Sequence, residues 1–304
     1  MSQIELNTIK KAVEQGKVAN TYLILGNPKS DVIGCALDLT KSILKSPYSS
    51  QTIPQQQASL EKLKALTNTD IHYFYPVNTT GEIKKSPSSS DFIDYWRELV
   101  IENSKISLSD WYSKIGLGNK QGSINKYEAE KIFKLASLKS YEGGVKIFII
   151  WMAEKMNPTA SNKLLKLLEE PPNKTVFILI SENEKRMLKT IVSRCLKINV
   201  NSQVVENQGF AHDNEGLFLE WVRAAFKVKG NKSAINGLIA FSEKLSKKTR
   251  EEQKEFIIYC SEVFKDSIHF GYKMKDRSQK YENGLDLKKF APFVHEGNIL
   301  LFYK

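Results

Sequence analysis

The chain has 304 residues and a formal charge of +11. That length exceeds the usual single-core size and predicts two domains. At 41% hydrophobic and 10% aromatic residues it reads as globular. It has no apolar run of the ~18 residues that a membrane helix needs, and its charged, amphipathic start is unlike a signal peptide. A cytoplasmic protein with no membrane partner is expected. The basic excess points to a polyanion partner, nucleic acid first and a membrane surface second, or to a solvated lysine-rich surface. Composition leaves these open. Cys35, Cys195 and Cys260 form no C-x-x-C pair, and His72, His212, His269 and His295 show no ligand spacing. Neither a disulfide framework nor a metal is expected.

In chain order, residues 4–16 carry Ile4, Ile9 and Val13 along one side of a short helix. Residues 21–25 (TYLIL) form a first strand, followed by a turn from Gly26 and an amphipathic helix over 35–44. Strand, glycine turn and helix is the setting of a phosphate-binding P-loop. The chemistry of that loop is missing. It requires a second glycine, a lysine and a hydroxyl residue five to seven places after the first glycine, and those places hold Asp31, Val32 and Ile33. No lysine there reaches the phosphates, no hydroxyl holds Mg²⁺, and Asp31 repels anions. Lys29, inside the turn, is the only nearby substitute. The sequence therefore predicts a degenerate P-loop and no cofactor.

Residues 49–57 read as a polar loop and 72–77 (HYFYPV) as a strand. Residues 79–91, rich in serine and lysine, read as a mobile surface loop. A helix containing Trp96 follows over 92–103. Residues 110–114 and 116–122 are a turn-rich approach to a second helix over 126–138. Next comes a βαβ unit. Residues 147–151 form a β-branched and aromatic strand suited to burial on both faces. Asn157-Pro158 starts a helix bearing Leu164, Leu165, Leu167 and Leu168, and Glu169-Glu170-Pro171-Pro172 ends it. A second buried strand over 176–180 leads to Thr190-Ile-Val-Ser-Arg-Cys.

The segments EKMN, NKLLKLLEEPP, FILIS and TI.SRC, in that order, resemble the core of bacterial clamp-loader subunits, AAA+ proteins of the DNA polymerase III holoenzyme. LKSYEGGVKIFIIWMAEKMN and REEQKEFIIYC look most like its delta-prime branch in Bacteroidetes-type bacteria. The resemblance covers residues 5–200 well and 215–300 more loosely. It implies an α/β fold, a P-loop NTPase-like parallel sheet flanked by helices, over 1–200. An all-α, collar-like domain over 217–304 would follow a linker or reduced lid over 201–216. The gap is short for a full lid and the sequence ends in an apolar LLFYK, so an incomplete collar is expected. Relatives often carry a four-cysteine zinc module, but residues 46–70 here contain no cysteine.

The same resemblance assigns the sites. The Walker B pair, normally Asp-Glu, falls on Trp151 and Met152, with Glu154 two residues further on. Sensor 1 falls near Ser181 or Glu182. Ser193-Arg194-Cys195 matches the motif whose arginine enters a neighbour's nucleotide site, although a surface arginine at a strand end is the plainer alternative. The implied role is a non-hydrolysing clamp-loader subunit with gamma/tau and delta partners, acting with the sliding β clamp and primer–template DNA. Lys163 and Lys166 are candidate phosphate contacts. Two competing readings are an active gamma/tau-like ATPase and a stand-alone basic DNA-binding protein.

Overall fold

Strands with apolar residues at every position can be satisfied only between two layers of helices, and the first two-thirds of the chain is built this way. The structure, a computed structural model, describes residues 6–27, 30–200, 208–272 and 285–294, without the side chains of 208–213 and 229. Ile4, Lys29, residues 201–207, the His212 side chain, His295 and the terminal LLFYK lie outside the described residues. The chain divides into two compact units, Met1–Gln203 and Val204–Lys304.

In the first unit, α1 (Leu6–Glu14), β1 (Thr21–Gly26), α2 (Val32–Lys45), α3 (Ile53–Lys64) and β2 (Ile71–Phe74) come first. They are followed by α4 (Ile93–Glu102), α5 (Leu108–Lys114), α6 (Lys126–Ser137), β3 (Lys146–Trp151), α7 (Pro158–Glu169), β4 (Thr175–Ser181), α8 (Lys189–Val192) and β5 (Leu196–Val200). The five strands form one sheet in the order β2-β3-β4-β1-β5, and every pairing is parallel. Side chains alternate between its faces. Tyr22, Ile24, Ile147, Ile149, Val176, Ile178 and Ile198 pack with α1, α2, α4 and α5. Leu23, Phe148, Ile150, Phe177 and Leu179 pack with α6 and α7.

Two loop readings are corrected, and a third at its end. The polar stretch 49–57 contains the start of α3, capped by a Thr52–Gln55 capping box with proline in the first turn. The turn-rich stretch 110–114 belongs to α5, which starts from a Ser107–Asp110 capping box. Both caps satisfy backbone donors that apolar periodicity does not reveal. Residues 79–91 are irregular until a short 3-10 turn, Ser89–Phe92. There the Glu128 carboxylate accepts from the Ser89 backbone N–H and the Tyr75 hydroxyl donates to Ser89 O at 2.6 Å. The edge strand β5, absent from the sequence reading, pairs Tyr22–Gly26 with Leu196–Val200.

The second unit contains α9 (Gln208–Gly230), α10 (Ile235–Ser246), α11 (Arg250–Gly271) and the short α12 (Leu287–Phe290). The stretch 201–216, expected as linker or reduced lid, is helical from Gln208; the buried Leu217 and Phe218 anchor that helix further on. Phe218 is fully buried among the rings of Trp221, Tyr259, Phe264 and Phe290, with centroids 5.4–6.0 Å away. Glu215 is buried too, and its carboxylate accepts from the Leu285 backbone N–H at 3.1 Å.

The first residue of β3 breaks the apolar rule for a structural reason. Lys146 is 4% exposed, and its ammonium donates to the carbonyls of Leu135, Ala136 and Leu138. Those carbonyls lie at the end of α6, where the Leu135 carbonyl also accepts from the Leu138 backbone N–H, so a cation there meets the negative end of the helix dipole. Lys146→Met removes the cation and leaves the buried Ala136 carbonyl without the ammonium donor. It should cost about 2–4 kcal/mol in chemical denaturation, and a loss under ~0.5 kcal/mol would refute the cap.

His72, half-buried on β2 against Phe148, has its pKa lowered from 6.5 to about 4, chiefly by burial. The unfolded chain takes up this proton at higher pH than the folded one, so His72 withdraws stability as pH falls from about 6.5 toward 4. Between pH 7 and 4.5, His72→Gln should gain on the order of 1–2 kcal/mol relative to the unsubstituted protein. Parallel unfolding curves at both pH values would contradict this.

Candidate functional site

In an all-parallel sheet, every strand ends on the same edge. Here that edge carries Gly26 from β1, Met152 just past β3 and Glu182 just past β4. This is where open α/β sheets place their ligands, and it is where the sequence puts the degenerate nucleotide site.

The site is filled by the chain's own side chains. Asp31 caps α2, accepting from the Gly34 backbone N–H at 2.9 Å. The same carboxylate oxygen accepts from the Ser104 hydroxyl at 2.8 Å. The helix N-terminus that would hold a phosphate thus holds a carboxylate of its own. Ser30 is buried and donates to Val200 O at 3.1 Å and Asn27 Oδ1 at 3.0 Å, which ties the turn to the end of β5. Gly26 permits this tight turn: a Cβ there would lie 2.4 Å from the Val32 side chain and 2.9 Å from Ser30 Cβ. Val32 and Ile33, expected at the lysine and hydroxyl positions, are buried in the core.

Trp151 and Met152, expected at the Walker B positions, are core residues. Trp151 is 1% exposed and packs 5.3 Å from Trp96. Trp96 lies 4.4 Å from Tyr75 and 5.5 Å from Trp111, and the Trp111 indole donates to Pro76 O at 2.8 Å. Met152 is buried with φ 55°, a left-handed turn that ends β3. Glu154 accepts from the Glu182 backbone N–H at 3.2 Å, while its second oxygen is buried without a hydrogen-bond partner. Ser181 is buried and accepts from the Asn183 backbone N–H at 3.1 Å.

Ser193, Arg194 and Cys195 lie at the other edge, between α8 and β5. Their side chains turn back onto the carbonyls of Thr190 and Ile191 in α8. The Ser193 hydroxyl donates to Thr190 O at 3.1 Å and the Cys195 thiol to Ile191 O at 3.1 Å. Arg194 Nη1 donates to Thr190 O at 2.8 Å, and Nη2 meets Glu169 Oε1 at 2.6 Å. The two side chains are 36% and 49% exposed. They line an open cleft with Ala19, Asn20, Thr21 and Leu196, at the start of β1 and β5. The six residues of β1, at about 3.3 Å each, put roughly 17 Å between the two edges.

The remaining candidates are quieter. Burial pushes the Cys195 thiol up to about 12, as it does Cys35 and Cys260, so none is a ready nucleophile. Among the described residues, no group of three or more His, Cys, Asp or Glu side chains is placed to hold a metal ion. No described helix is long and apolar enough to cross a membrane. Lys163 is paired with Glu130, while Lys166 is exposed near the end of α7. Sequence reasoning took Glu169 only as a helix terminator and overlooked Ser104. The LEEPP segment was the available signal for the first, and nothing local marks the second.

Comparison with known proteins gives the lineage. The chain is 29% identical over 189 residues to the DNA polymerase III subunit delta' of Buchnera aphidicola subsp. Acyrthosiphon pisum, covering 62% of this chain and 50% of that protein. It is 41% identical over 80 residues to the Bacillus subtilis subunit, 26% of this chain and 23% of that one. It is 51% identical over 55 residues to the Pseudomonas aeruginosa subunit, 18% and 17% respectively. The matched stretches thus span half or less of these relatives. Among solved structures, a gamma subunit-related protein of DNA polymerase III from Thermotoga maritima overlays with a TM-score of 0.39 at 17% identity, covering 96% of this chain and 90% of that one. A family model described as DNA polymerase III, delta subunit matches residues 1–203, the length of the first compact unit, and on that match this chain belongs to the DNA polymerase III delta-subunit family.

Proposed function

We propose that this chain is a non-hydrolysing clamp-loader subunit that lends Arg194 to the nucleotide site of an adjacent gamma/tau-type ATPase. With a delta partner it would help place the sliding β clamp on primer–template DNA. Its own role is then that of an accessory subunit to DNA polymerase III, with the α/β unit forming the ATPase interface and the helical unit a collar-like contact. The +11 charge would favour approach to DNA through phosphate contacts that read no sequence.

The observation that carries this reading is the separation of the two edges. Arg194 lies roughly 17 Å from the degenerate site, the length of a strand, so its guanidinium cannot serve a nucleotide held by its own sheet. An exposed arginine in an open cleft is suited to a nucleotide presented by a neighbour. In the transition state of phosphoryl transfer, charge spreads over the γ-phosphate oxygens. A guanidinium placed there neutralises it, an effect worth roughly 10³–10⁵ in rate for fingers supplied in trans. The absence of intrinsic hydrolysis is supported by Asp31 at the phosphate position and by Trp151 and Met152 where Mg²⁺ would be held.

Titration calorimetry of the isolated chain with ATP and Mg²⁺ should give no binding heat in the micromolar range. A Kd near ~1 µM, about −8 kcal/mol, would instead revive the ATPase reading.

In a reconstituted loader, Arg194→Ala should leave assembly intact and shift stability by under about 1 kcal/mol, since the residue and its partner are both half-exposed. It should slow clamp- and DNA-stimulated hydrolysis in part, because only the site facing this subunit loses its finger. Arg194→Lys should not restore that site fully, lacking the planar fork that grips phosphate oxygens. Rings carrying Arg194→Ala that match the unsubstituted ones in hydrolysis and clamp loading would remove the trans role.

A further inference from the structure

The finger proposed above is not free in the cleft but held on two sides. Arg194 Nη1 donates to the carbonyl of Thr190 in α8, and Nη2 to the carboxylate of Glu169, the last residue of α7. Thr190 lies four residues before Arg194 and Glu169 twenty-five. Two acceptors from separate helices, each on a different terminal nitrogen, fix the guanidinium plane as well as its position. One contact alone would let it swivel. A guanidinium has five N–H donors, so these two bonds leave further donors for an anion entering the cleft.

We propose that Glu169 is a positioning residue for Arg194: its carboxylate pre-orients the finger for a triphosphate presented by a neighbouring subunit. The inference rests on the trans-finger reading of Arg194. Its physical basis is preorganisation. A half-exposed arginine samples many rotamers, and each must be frozen out when the finger engages unless the fold has already done so. The pair contributes little to folding, as expected for a solvent-accessible ion pair, so its effect is confined to the geometry of the finger. Glu169 itself points its charge at the guanidinium and touches no substrate. Its backbone is placed by the chain beyond it, where Pro171 and Pro172 end α7 at this residue.

The test compares reconstituted loaders carrying Glu169→Ala, Glu169→Gln, Arg194→Ala or Glu169→Ala with Arg194→Ala. Thermal unfolding of each subunit checks that the fold is unchanged, and hydrolysis is followed against ATP concentration. Glu169→Ala should lower kcat by roughly half or more of the loss given by Arg194→Ala, with KM for ATP unchanged, because orientation rather than binding is lost. Glu169→Gln keeps an acceptor oxygen and should recover most of that loss. The double variant should match Arg194→Ala alone, since Glu169 acts only through the arginine.

If Arg194→Ala slows the ring while Glu169→Ala does not, the finger stands and the positioning role is overturned. Additive losses in the double variant would also overturn it, by showing that Glu169 acts elsewhere. If Arg194→Ala itself has no effect, the finger reading fails, and this inference fails with it.

Discussion

Parallel pairing of all five strands is the constraint on which the rest of the first unit depends. Each strand must return to the same side of the sheet before it can pair again, and the returning helices cover both faces. One consequence is the two-sided burial of β1, β3 and β4. The other is polarity. All strand ends, with their loops and helix starts, gather on one edge, and all strand beginnings on the other. The Asp31 turn and Arg194 therefore lie at opposite edges, although only α8 on one side and β5 on the other separate Arg194 from the far edge in sequence.

The edge at the strand ends is closed by the chain's own side chains. Asp31 uses the α2 N-terminus as its own hydrogen-bond donor set, with Ser104 completing the contact. A capped helix end of this kind typically contributes about 1 kcal/mol, and a phosphate would have to displace it against the charge of the carboxylate. Trp151, where the sequence resemblance led one to expect a metal-binding carboxylate, packs in the cluster of Tyr75, Trp96 and Trp111. In both places a position suited to charge chemistry in a working site is occupied by groups that stabilise the folded chain.

At the opposite edge, the short sequence from Thr190 to Cys195 folds back on itself. The side chains of Ser193, Arg194 and Cys195 donate to the carbonyls of Thr190 and Ile191 in α8, a helix of four residues. This local economy explains why a serine, an arginine and a thiol suit one turn even without reference to a partner. It also leaves part of the Arg194 guanidinium facing the cleft. A structural role for the motif and a role toward a neighbour are therefore compatible.

The sequence by itself determined the buried strands, because runs such as KIFIIW and TVFILIS have no polar face to offer water. It also determined the cap and stop of α7, through Asn157-Pro158 and Glu169-Glu170-Pro171-Pro172, and the failure of the phosphate-binding spacing at Asp31, Val32 and Ile33. Helices α3 and α5 were legible only through their capping boxes, since their apolar periodicity is weak or short. Strand β5 depended on its partner, as an edge strand of mixed residues gains its order from pairing with β1. Tertiary structure alone decided that Ser104 meets Asp31, that Lys146 caps α6 and that Glu169 holds Arg194. Each of these contacts joins residues 8–73 positions apart, and no local propensity encodes a hydrogen bond between groups that only the packed sheet and helices bring within 3 Å or so.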